Sequence, residues 1–497
     1  MTARGSRRAV PALEQTGLVL AVALLAAVLA LAPLPFGGNR PAAWTLLAVA
    51  TGAALLVWIL TASSAPRRNL RVPLHAYAFP VGCFVLLLVW FLLQISPLTP
   101  AAWHHPNWPA AARVLQQPVE GRISADPLSA EAAILRFLTY GAVFFLSMQL
   151  AASRRMRRRL LLAIAVSGVA YAVYGLIIQF GGYDHILWYP RWSYHESLSA
   201  TFVNRNSFAT YAGLVLLVLI GLLWQRVAAA PHRGEGRAPN GKGQYLNDLA
   251  ARAWPALIAI ILVFMALLLT QSRGGLLACL LALPALPRYV GLRSRSTRLF
   301  GLGLAVLLVV VLLLGAGETW RRIDREGSQA ALSRVEIYSA VVDGIAERPW
   351  LGHGYGSFES AFPQFRGPEL LSAAVVDKAH NSYLEFAFEA GLPATGVMLL
   401  MLAAILRQCY RGIAHHRRAA SPQRCAIAAT VLVGSHALVD FSVQIPAVAI
   451  LFAALLGIGV GAGYGAASTP AAGRGHTGRA RPGAMPGRVS PDNSRSA

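Results

Sequence analysis

The chain has 497 residues, of which 56% are hydrophobic and only 13% charged, and its net charge at pH 7 is +23. Soluble globular proteins carry about 25% charged residues, so this composition excludes that class. Apolar runs that approach or exceed 18 residues recur along the chain, and each is long enough to cross a bilayer as a helix. We therefore predict an all-α polytopic membrane protein.

The apolar runs predict about twelve membrane-spanning helices within residues 16–464. A basic segment, residues 1–15, precedes them, and a Gly-, Pro-, Ser- and Arg-rich tail, residues 465–497, is expected to be disordered. A Gly/Pro-rich loop that ends at Ala253 is expected to be flexible. The predicted spans cover residues 16–34, 42–62, 74–95, 130–151, 160–180, 206–224, 254–270, 275–289, 299–316, 383–406, 425–444 and 446–464.

The distribution of basic residues predicts the orientation of these spans. Thirty of the 44 Lys and Arg residues lie at the end of the spans that the N-terminus shares. Because Lys and Arg are enriched in cytoplasmic loops, both termini are expected in the cytoplasm. The long polar loop at residues 317–382 then lies on the opposite, outer side of the membrane. The topology accounts for the positive net charge, so no nucleic-acid partner is expected.

The long loop ends at His380 and Asn381, where an aqueous segment meets a predicted membrane helix. A neutral imidazole there can take a proton from a hydroxyl, because its ordinary pKa lies near working pH. The alternative is that His380 and Asn381 only cap the helix, with the side chain of Asn381 or Ser382 bonding free N–H groups.

Arg273 lies in a short turn, residues 271–274, between two predicted spans. An arginine at such a depth is costly and indicates a functional site. Its planar fork suits phosphate oxygens, and the backbone N–H groups of Gly274 and Gly275 could approach the same anion. The alternative is that Arg273 only reaches lipid headgroups.

A second polar segment, Thr201–Ala209, offers the guanidinium of Arg205 and the amides of Asn204 and Asn206 at the same predicted depth. Arg191 lies upstream among Tyr and Trp residues. Such aromatics are usually membrane-interface residues, but they also form a surface on which sugar rings could stack.

Pairs of polar residues four apart share a helix face, as do Glu385 with Glu389 and His436 with Asp440. We expect these acids to orient the arginines, and proton transfer by one of them is the alternative. No metal-binding motif, phosphate-binding glycine loop or paired cysteine spacing is present, so no metal or cofactor is expected.

Four segments together resemble the O-antigen ligase/O-antigen polymerase superfamily of bacterial membrane glycosyltransferases. One departure is Ala200, which stands where that superfamily usually has glycine. The segments are TFVNRNSFA at 201–209, LTQSRGGL at 269–276, ERPWLGHGYGSF at 347–358 and HNSYLEFAFEAG at 380–391.

The resemblance implies a GT-C-like membrane transferase that is inverting and metal-independent. It would move a glycan from undecaprenyl diphosphate to a hydroxyl of lipid A-core or of a growing polysaccharide, among membrane lipids on the periplasmic face of the bacterial inner membrane. Residues 317–382 would then be the periplasmic catalytic loop. Carried over, His380 is the general base and Arg273 and Arg205 hold the diphosphate, with Arg191 as a further member. The remaining substrate contacts would come from Asn381, Asn204, Asn206 and Tyr383, with Glu385, Glu389 and Asp440 in support.

The sequence leaves two functional classes open. Ligase, polymerase and protein-glycosylating transferase share these motifs, and the motifs do not separate them. A lipid-linked glycan transporter is the alternative class, and it would carry inverted repeats and acids at the bilayer midplane. We find no internal repeat, and the polar residues cluster at one predicted interface, which favours the enzyme.

Overall fold

The computed structural model describes residues 12–64, 70–228, 242–286, 326–367, 376–415 and 421–467. This part of the chain is mainly helical and contains one two-stranded antiparallel hairpin. The helices are α1 (Ala12–Leu31), α2 (Pro41–Ser63), α3 (Ala78–Ile95), α4 (Asn107–Leu115), α5 (Pro127–Ala151), α6 (Arg154–Phe180), α7 (Arg205–Ala228), α8 (Lys242–Leu269), α9 (Arg273–Ala282), α10 (Glu326–Glu347), α11 (Phe358–Ala361), α12 (Ser382–Ala390), α13 (Leu392–His415), α14 (Ser421–His436) and α15 (Pro446–Ala467), and the strands are β1 (His185–Ile186) and β2 (Tyr189–Pro190).

Eight helices in the described ranges are long and apolar enough to cross a membrane, and two shorter apolar helices cover Ala253–Leu269 and Arg273–Ala285. The prediction of an all-α polytopic membrane protein is therefore confirmed. The count of twelve spans stays a prediction, because the ninth, residues 299–316, lies outside the described residues. Most of the basic N-terminal segment and of the tail, residues 1–11 and 468–497, also lies outside them.

Three predicted boundaries are wrong. The eleventh span, predicted as residues 425–444, ends as helix α14 at His436, so Asp440 lies beyond the helix and does not share a helix face with His436. Helix α8 begins at Lys242, so the loop expected to reach Ala253 ends earlier. The tenth span, predicted as residues 383–406, is two helices, α12 and α13, with a break at Gly391. The apolar pattern runs through this break, and for that reason hydropathy alone did not reveal it.

The break at Gly391 is fixed by the glycine-rich loop, residues 352–356. The backbone N–H groups of His353 and Gly354 donate to the carbonyls of Phe388 and Glu389, both at 2.9 Å. These carbonyls therefore find partners in the loop, as the end of a helix requires. Gly391 has φ +84°, and a Cβ there would lie 2.5 Å from the Trp350 carbonyl oxygen, so only glycine fits.

Helices α7 and α15 form the centre of the bundle, with 83% of each spanning window buried, against 28% for α1, α2 and α3. Close packing of α15 on α5 uses small residues. A Cβ at Gly457 or Gly461 would collide with the α5 backbone at Phe144 or Met148. Glycines at such a spacing let helix backbones approach, which replaces the hydrophobic driving force that lipid removes.

Two buried histidines join the loop before α5 to the glycine-rich loop. Asn107 N–H donates to His105 Nδ1, His105 Nε2 lies 3.0 Å from His353 Nδ1, and His353 Nε2 lies 2.9 Å from the Gly344 carbonyl. Because a carbonyl only accepts, this chain assigns one ring hydrogen to each histidine, and both are neutral. Burial lowers the pKa of His105 to about 3 and that of His353 to about 4, with the charge of Arg348 acting in the same direction.

We expect this pair to make the protein less stable in acid. Below the ordinary histidine pKa of 6.5, both histidines become protonated in the unfolded chain but stay neutral in the folded one. The free energy of unfolding is therefore highest above that pH and falls as the pH is lowered towards 4. Each histidine would account for on the order of 2 kcal/mol at pH 4.5. Thermal unfolding of the detergent-solubilised chain between pH 7 and 4.5 measures this. The double variant His105→Gln/His353→Gln should show a shallower pH dependence, and an equal slope would contradict the assignment.

Candidate active site

His380 lies immediately before α12, and its imidazole makes no hydrogen bond to the described residues. Its Nδ1 is buried and has no hydrogen-bond partner among the described residues. The backbone is in the left-handed region, with φ +54°, and Tyr338 Oη donates to the His380 carbonyl at 3.0 Å. The imidazole packs against the ring of Phe441, 5.2 Å between centroids. A strained residue held from several sides with a free ring nitrogen is typical of a functional position.

Asn381 caps α12, as one of the two hypotheses for this segment expected. Its Oδ1 accepts from the backbone N–H groups of Tyr383 at 3.0 Å and Leu384 at 3.1 Å. Tyr383 Oη donates to the carbonyl of Gly434 on α14 at 2.9 Å. The cap and the candidate base are therefore different residues, and the cap leaves the His380 ring free.

Glu385 holds the chain just before His380. Its carboxylate accepts from the backbone N–H of Ala379 at 2.8 Å and lies 3.4 Å from Lys378 Nζ. Burial alone would lower the pKa of Lys378, but the carboxylates around it, Glu385 first, raise that pKa overall. Lys378 is therefore the cationic partner of Glu385.

Glu389 accepts from the backbone N–H of Phe358 at 3.1 Å and so anchors the start of α11. The expectation that Glu385 and Glu389 orient the arginines is therefore wrong, because their bonds go to a lysine and to backbone N–H groups. Glu385 thus positions the segment just before His380 and Glu389 joins α12 to α11, while a supporting role of both in the site stays a prediction.

Asp440 is buried and forms the other support of the site. Its carboxylate accepts from Asn206 Nδ2 at 3.1 Å and from the hydroxyl of Ser442, and its carbonyl accepts from Ser382 Oγ at 3.1 Å. It also acts on His380. Burial lowers the pKa of His380, the Asp440 carboxylate opposes this, and Arg334 adds to it. The imidazole is thus kept neutral, as a general base must be.

Arg273 is the first residue of α9, and its side chain is exposed. Within the described ranges it makes no hydrogen bond or ion pair, so its guanidinium is open to a ligand. The expected role of Gly275 is wrong, because its N–H donates to Ser272 Oγ, which caps α9. The two glycines serve packing instead, since a Cβ at Gly274 would lie 3.1 Å from His436 and one at Gly275 2.7 Å from Ala209.

Arg205 begins α7 and stacks on an aromatic ring. Its Cζ lies 5.3 Å from the centre of the Tyr194 ring, and its Nε is buried with no partner in the described structure. Asn204 Oδ1 accepts from the backbone N–H of Asn206 at 2.7 Å and so shapes the start of the helix. Ala200 adopts φ +48°, which explains why glycine is favoured at this position.

Arg191 is buried within its own loop. Its Nη1 donates to the carbonyls of His195 at 3.1 Å and Tyr194 at 3.4 Å, and burial lowers its pKa while Asp184 opposes this. The structure thus gives Arg191 a role in shaping the loop that carries Tyr194. Its part in substrate binding stays a prediction.

The loop of Tyr194 and the turn of Arg273 are tied together. Leu198 N–H donates to the Leu269 carbonyl at 2.9 Å, and Gln271 Nε2 donates to the Glu196 carbonyl at 3.2 Å. His436 links the same turn to α7, since its Nδ1 lies 2.6 Å from Thr210 Oγ1. The predicted arginine sites therefore belong to one assembly.

His380 and Tyr194 face the same charged groups. Burial raises the pKa of Tyr194, and among the charges that act on it are Asp440, Arg334 and Asp377, all of which also act on His380. The structure thus brings the candidate base and the ring under Arg205 into one electrostatic environment.

Helix α10 contributes two residues that the sequence analysis did not place in the site, Arg334 and Tyr338. Tyr338 bonds the His380 carbonyl, and Arg334 acts on His380 and His436 through its charge. They are four residues apart, and this spacing would have put them on one helix face had α10 been recognised as a helix.

Exposed aromatic rings lie beside the arginine loop. The rings of Tyr189 and Trp192 lie 5.3 and 5.9 Å from that of Phe36, and the guanidinium of Arg40 lies over both Phe36 and Trp192. At the hairpin tip, Trp188 is 73% exposed. Flat apolar rings with adjacent polar groups suit the stacking of sugar rings, and sugar binding by this surface stays a prediction.

Comparison with protein families gives a match to part of the chain. Residues 258–400 match the family model described as O-antigen ligase. The matched region contains Arg273, the glycine-rich loop, His380 and both glutamates of α12, whereas Arg205 and Asp440 lie outside it. A search of curated proteins finds no match.

Proposed function

We propose that the chain, whose residues 258–400 match the O-antigen ligase family model, transfers a glycan from an undecaprenyl-diphosphate carrier to a hydroxyl acceptor on the periplasmic face of the inner membrane. One observation carries the proposal. The buried Nδ1 of His380 has no partner in the described structure and lies in the same charged environment as the loop of Arg205.

In the proposed reaction, the neutral imidazole of His380 takes the proton of the acceptor hydroxyl. The hydroxyl oxygen then attacks the anomeric carbon, forming the new glycosidic bond with inversion. The bond from that carbon to the diphosphate oxygen breaks, and its electron pair leaves with the diphosphate. Burial keeps the imidazole neutral and able to accept the proton.

Arg273 and Arg205 are proposed to bind the leaving diphosphate. Negative charge grows on the leaving oxygen as the glycosidic bond breaks, so donors placed there stabilise the transition state more than the ground state. Both guanidinium groups keep N–H donors that no described residue occupies, and charge-assisted bonds from arginine to phosphate are strong and directional. The remaining predicted contacts, Asn204, Asn206, Asn381 and Tyr383, already bond the protein and are proposed to shape the site.

Purified protein supplied with a polyprenyl-diphosphate-linked glycan tests the function directly. Conjugation of the glycan to added lipid A-core identifies a ligase, and chain growth without added acceptor identifies a polymerase. A transporter would move the lipid-linked glycan across a vesicle membrane without consuming it. Absence of both products in an otherwise folded preparation would contradict the enzyme.

We expect the acid limb of the pH–rate profile to lie below the ordinary histidine value, because burial lowers the pKa of His380. In Asp440→Asn the carboxylate that opposes this shift is gone, so the limb should move to still lower pH. The profile of kcat/KM for the acceptor measures it, since it reports the free enzyme. A limb that moves to higher pH in Asp440→Asn would contradict His380 as the titrating base.

A further inference from the structure

A cavity of about 970 Å³ lies between α2, α3, α5 and α11 to α15. Most of its wall is apolar, with Trp44, Phe84, Phe144 and Phe452 among the lining side chains. Along α5 the lining runs from Ser129 to Phe145, which is about 24 Å at the rise of an α-helix. Since the hydrocarbon core of a bilayer is about 30 Å thick, the cavity has the length and character of a lipid-tail site.

One end of the cavity is polar and carries both signs of charge. The cation free for a ligand is Arg136, whose Nε donates to the Ala132 carbonyl at 3.3 Å and whose Cζ lies 5.8 Å from the Trp44 ring. Arg136 forms no ion pair within the described part of the chain. Two exposed carboxylates, Glu359 and Asp377, line the same end. Arginine suits a phosphate and the carboxylates suit sugar hydroxyls, so the headgroup expected here is a phosphorylated glycan.

The cavity reaches His380 from the side opposite the arginine assembly. Lys378 and Tyr383, which flank His380 in sequence, both line it. Helix α14 separates the two sides, because Thr430 and Gly434 line the cavity whereas His436 packs against Thr210 and Gly274. His380 therefore lies at the boundary between two candidate substrate sites.

Resting on the proposed function, we propose that this cavity holds the lipid anchor of the acceptor, a phosphorylated glycolipid whose hydroxyl reaches His380 from the cavity side. The donor diphosphate lies on the other side of α14, with Arg205 and Arg273. Two lipid-anchored substrates can then occupy the protein together, which a single-displacement transfer requires. The chemistry is shared by lipid A-core and by a polyprenyl-diphosphate-linked repeat unit.

Filling the cavity tests the proposal. Ala142→Phe places a ring in the apolar part of the cavity wall, about 20 Å along α5 from Ser129, and Ala53→Phe adds the same ring on an exposed face of α2 that does not line the cavity. We expect Ala142→Phe to raise the KM for the acceptor at least tenfold and to leave the KM for the donor unchanged, with Ala53→Phe like wild type. A rise in the donor KM alone, or no change in either, would overturn the proposal.

Arg136→Gln gives an independent variant should Ala142→Phe fail to fold. It removes the cation at the polar end without filling the cavity, and it should raise the acceptor KM while Arg113→Gln, at an exposed position on α4, does not. An unchanged acceptor KM in Arg136→Gln would count against the phosphorylated headgroup.

A binding measurement tests the acceptor cavity independently of whether the protein transfers a glycan. Native mass spectrometry of the full chain in detergent would use three probes, namely lipid A-core glycolipid, a polyprenyl-diphosphate repeat unit and phosphatidylglycerol. The proposal stands if wild type retains one of the two glycolipids and Ala142→Phe loses it, even if no transfer is detected. Equal retention of phosphatidylglycerol, sensitive to the same variant, would show an ordinary structural lipid and overturn it.

Discussion

His380→Asn should reduce glycan transfer at least about a hundredfold, because a positioned general base contributes about a hundred- to ten-thousand-fold in rate. Asparagine is the informative replacement. His380 has φ +54°, and asparagine tolerates this left-handed backbone better than most residues, so the fold is retained while the basic nitrogen is lost. Transfer from the lipid-linked donor at saturating acceptor, with protein amounts matched, is the measurement.

The control for this variant is Asn381→Ser, which keeps a hydroxyl to cap α12. If His380 acts only through the helix terminus, both variants should lose comparable activity. If it is the base, Asn381→Ser should stay within a few-fold of wild type. Near wild-type transfer by His380→Asn would remove the base from the proposed mechanism.

The fold could be predicted from the sequence where hydropathy decides it. Long apolar runs must become helices in a bilayer, because every backbone N–H and C=O needs an internal partner there. The helix break at Gly391 could not be predicted this way. It depends on the glycine-rich loop, about forty residues upstream, whose N–H groups bond the carbonyls that end α12. The start of α8 at Lys242 was missed because the sequence there is polar.

The candidate site, too, could be predicted only in part from the sequence. Asn381 was predicted as a cap from its position before a helix, and Asn204 shapes its helix start in a similar way. The partners of Glu385 and Glu389 were not predicted, because the choice between arginine, lysine and backbone N–H depends on contacts across the fold. The histidine pair is a further case, since His105 and His353 are 248 residues apart and only the fold brings them together.

The cavity could not be predicted from the sequence, for a related reason. Its wall is built from eight helices, and hydropathy does not distinguish apolar residues that line a cavity from those that face lipid or fill the core. Arg136 is the one partial signal. A cation inside a predicted membrane span is costly and indicates function, and this holds for Arg136 as it does for Arg273.

Arg273→Lys should insert normally but transfer glycan at least roughly tenfold more slowly. If Arg273 only anchors the turn at the lipid headgroups, lysine keeps the charge and serves equally well. If it binds the diphosphate through two parallel N–H groups, lysine supplies a point charge and loses that geometry. Removing one preorganised donor of this kind typically costs about 3 kcal/mol, and the retained charge should recover part of this.

The matched control for Arg273→Lys is Arg113→Lys, an exposed arginine on α4 that belongs to neither candidate site. Turnover at saturating lipid-linked donor is the informative quantity, because a transition-state contact lowers kcat whereas a ground-state contact raises KM. Wild-type turnover for Arg273→Lys would make Arg273 an anchor. The diphosphate would then be assigned to Arg205, whose buried Nε lacks a partner among the described residues, with Arg191 holding the loop beside it.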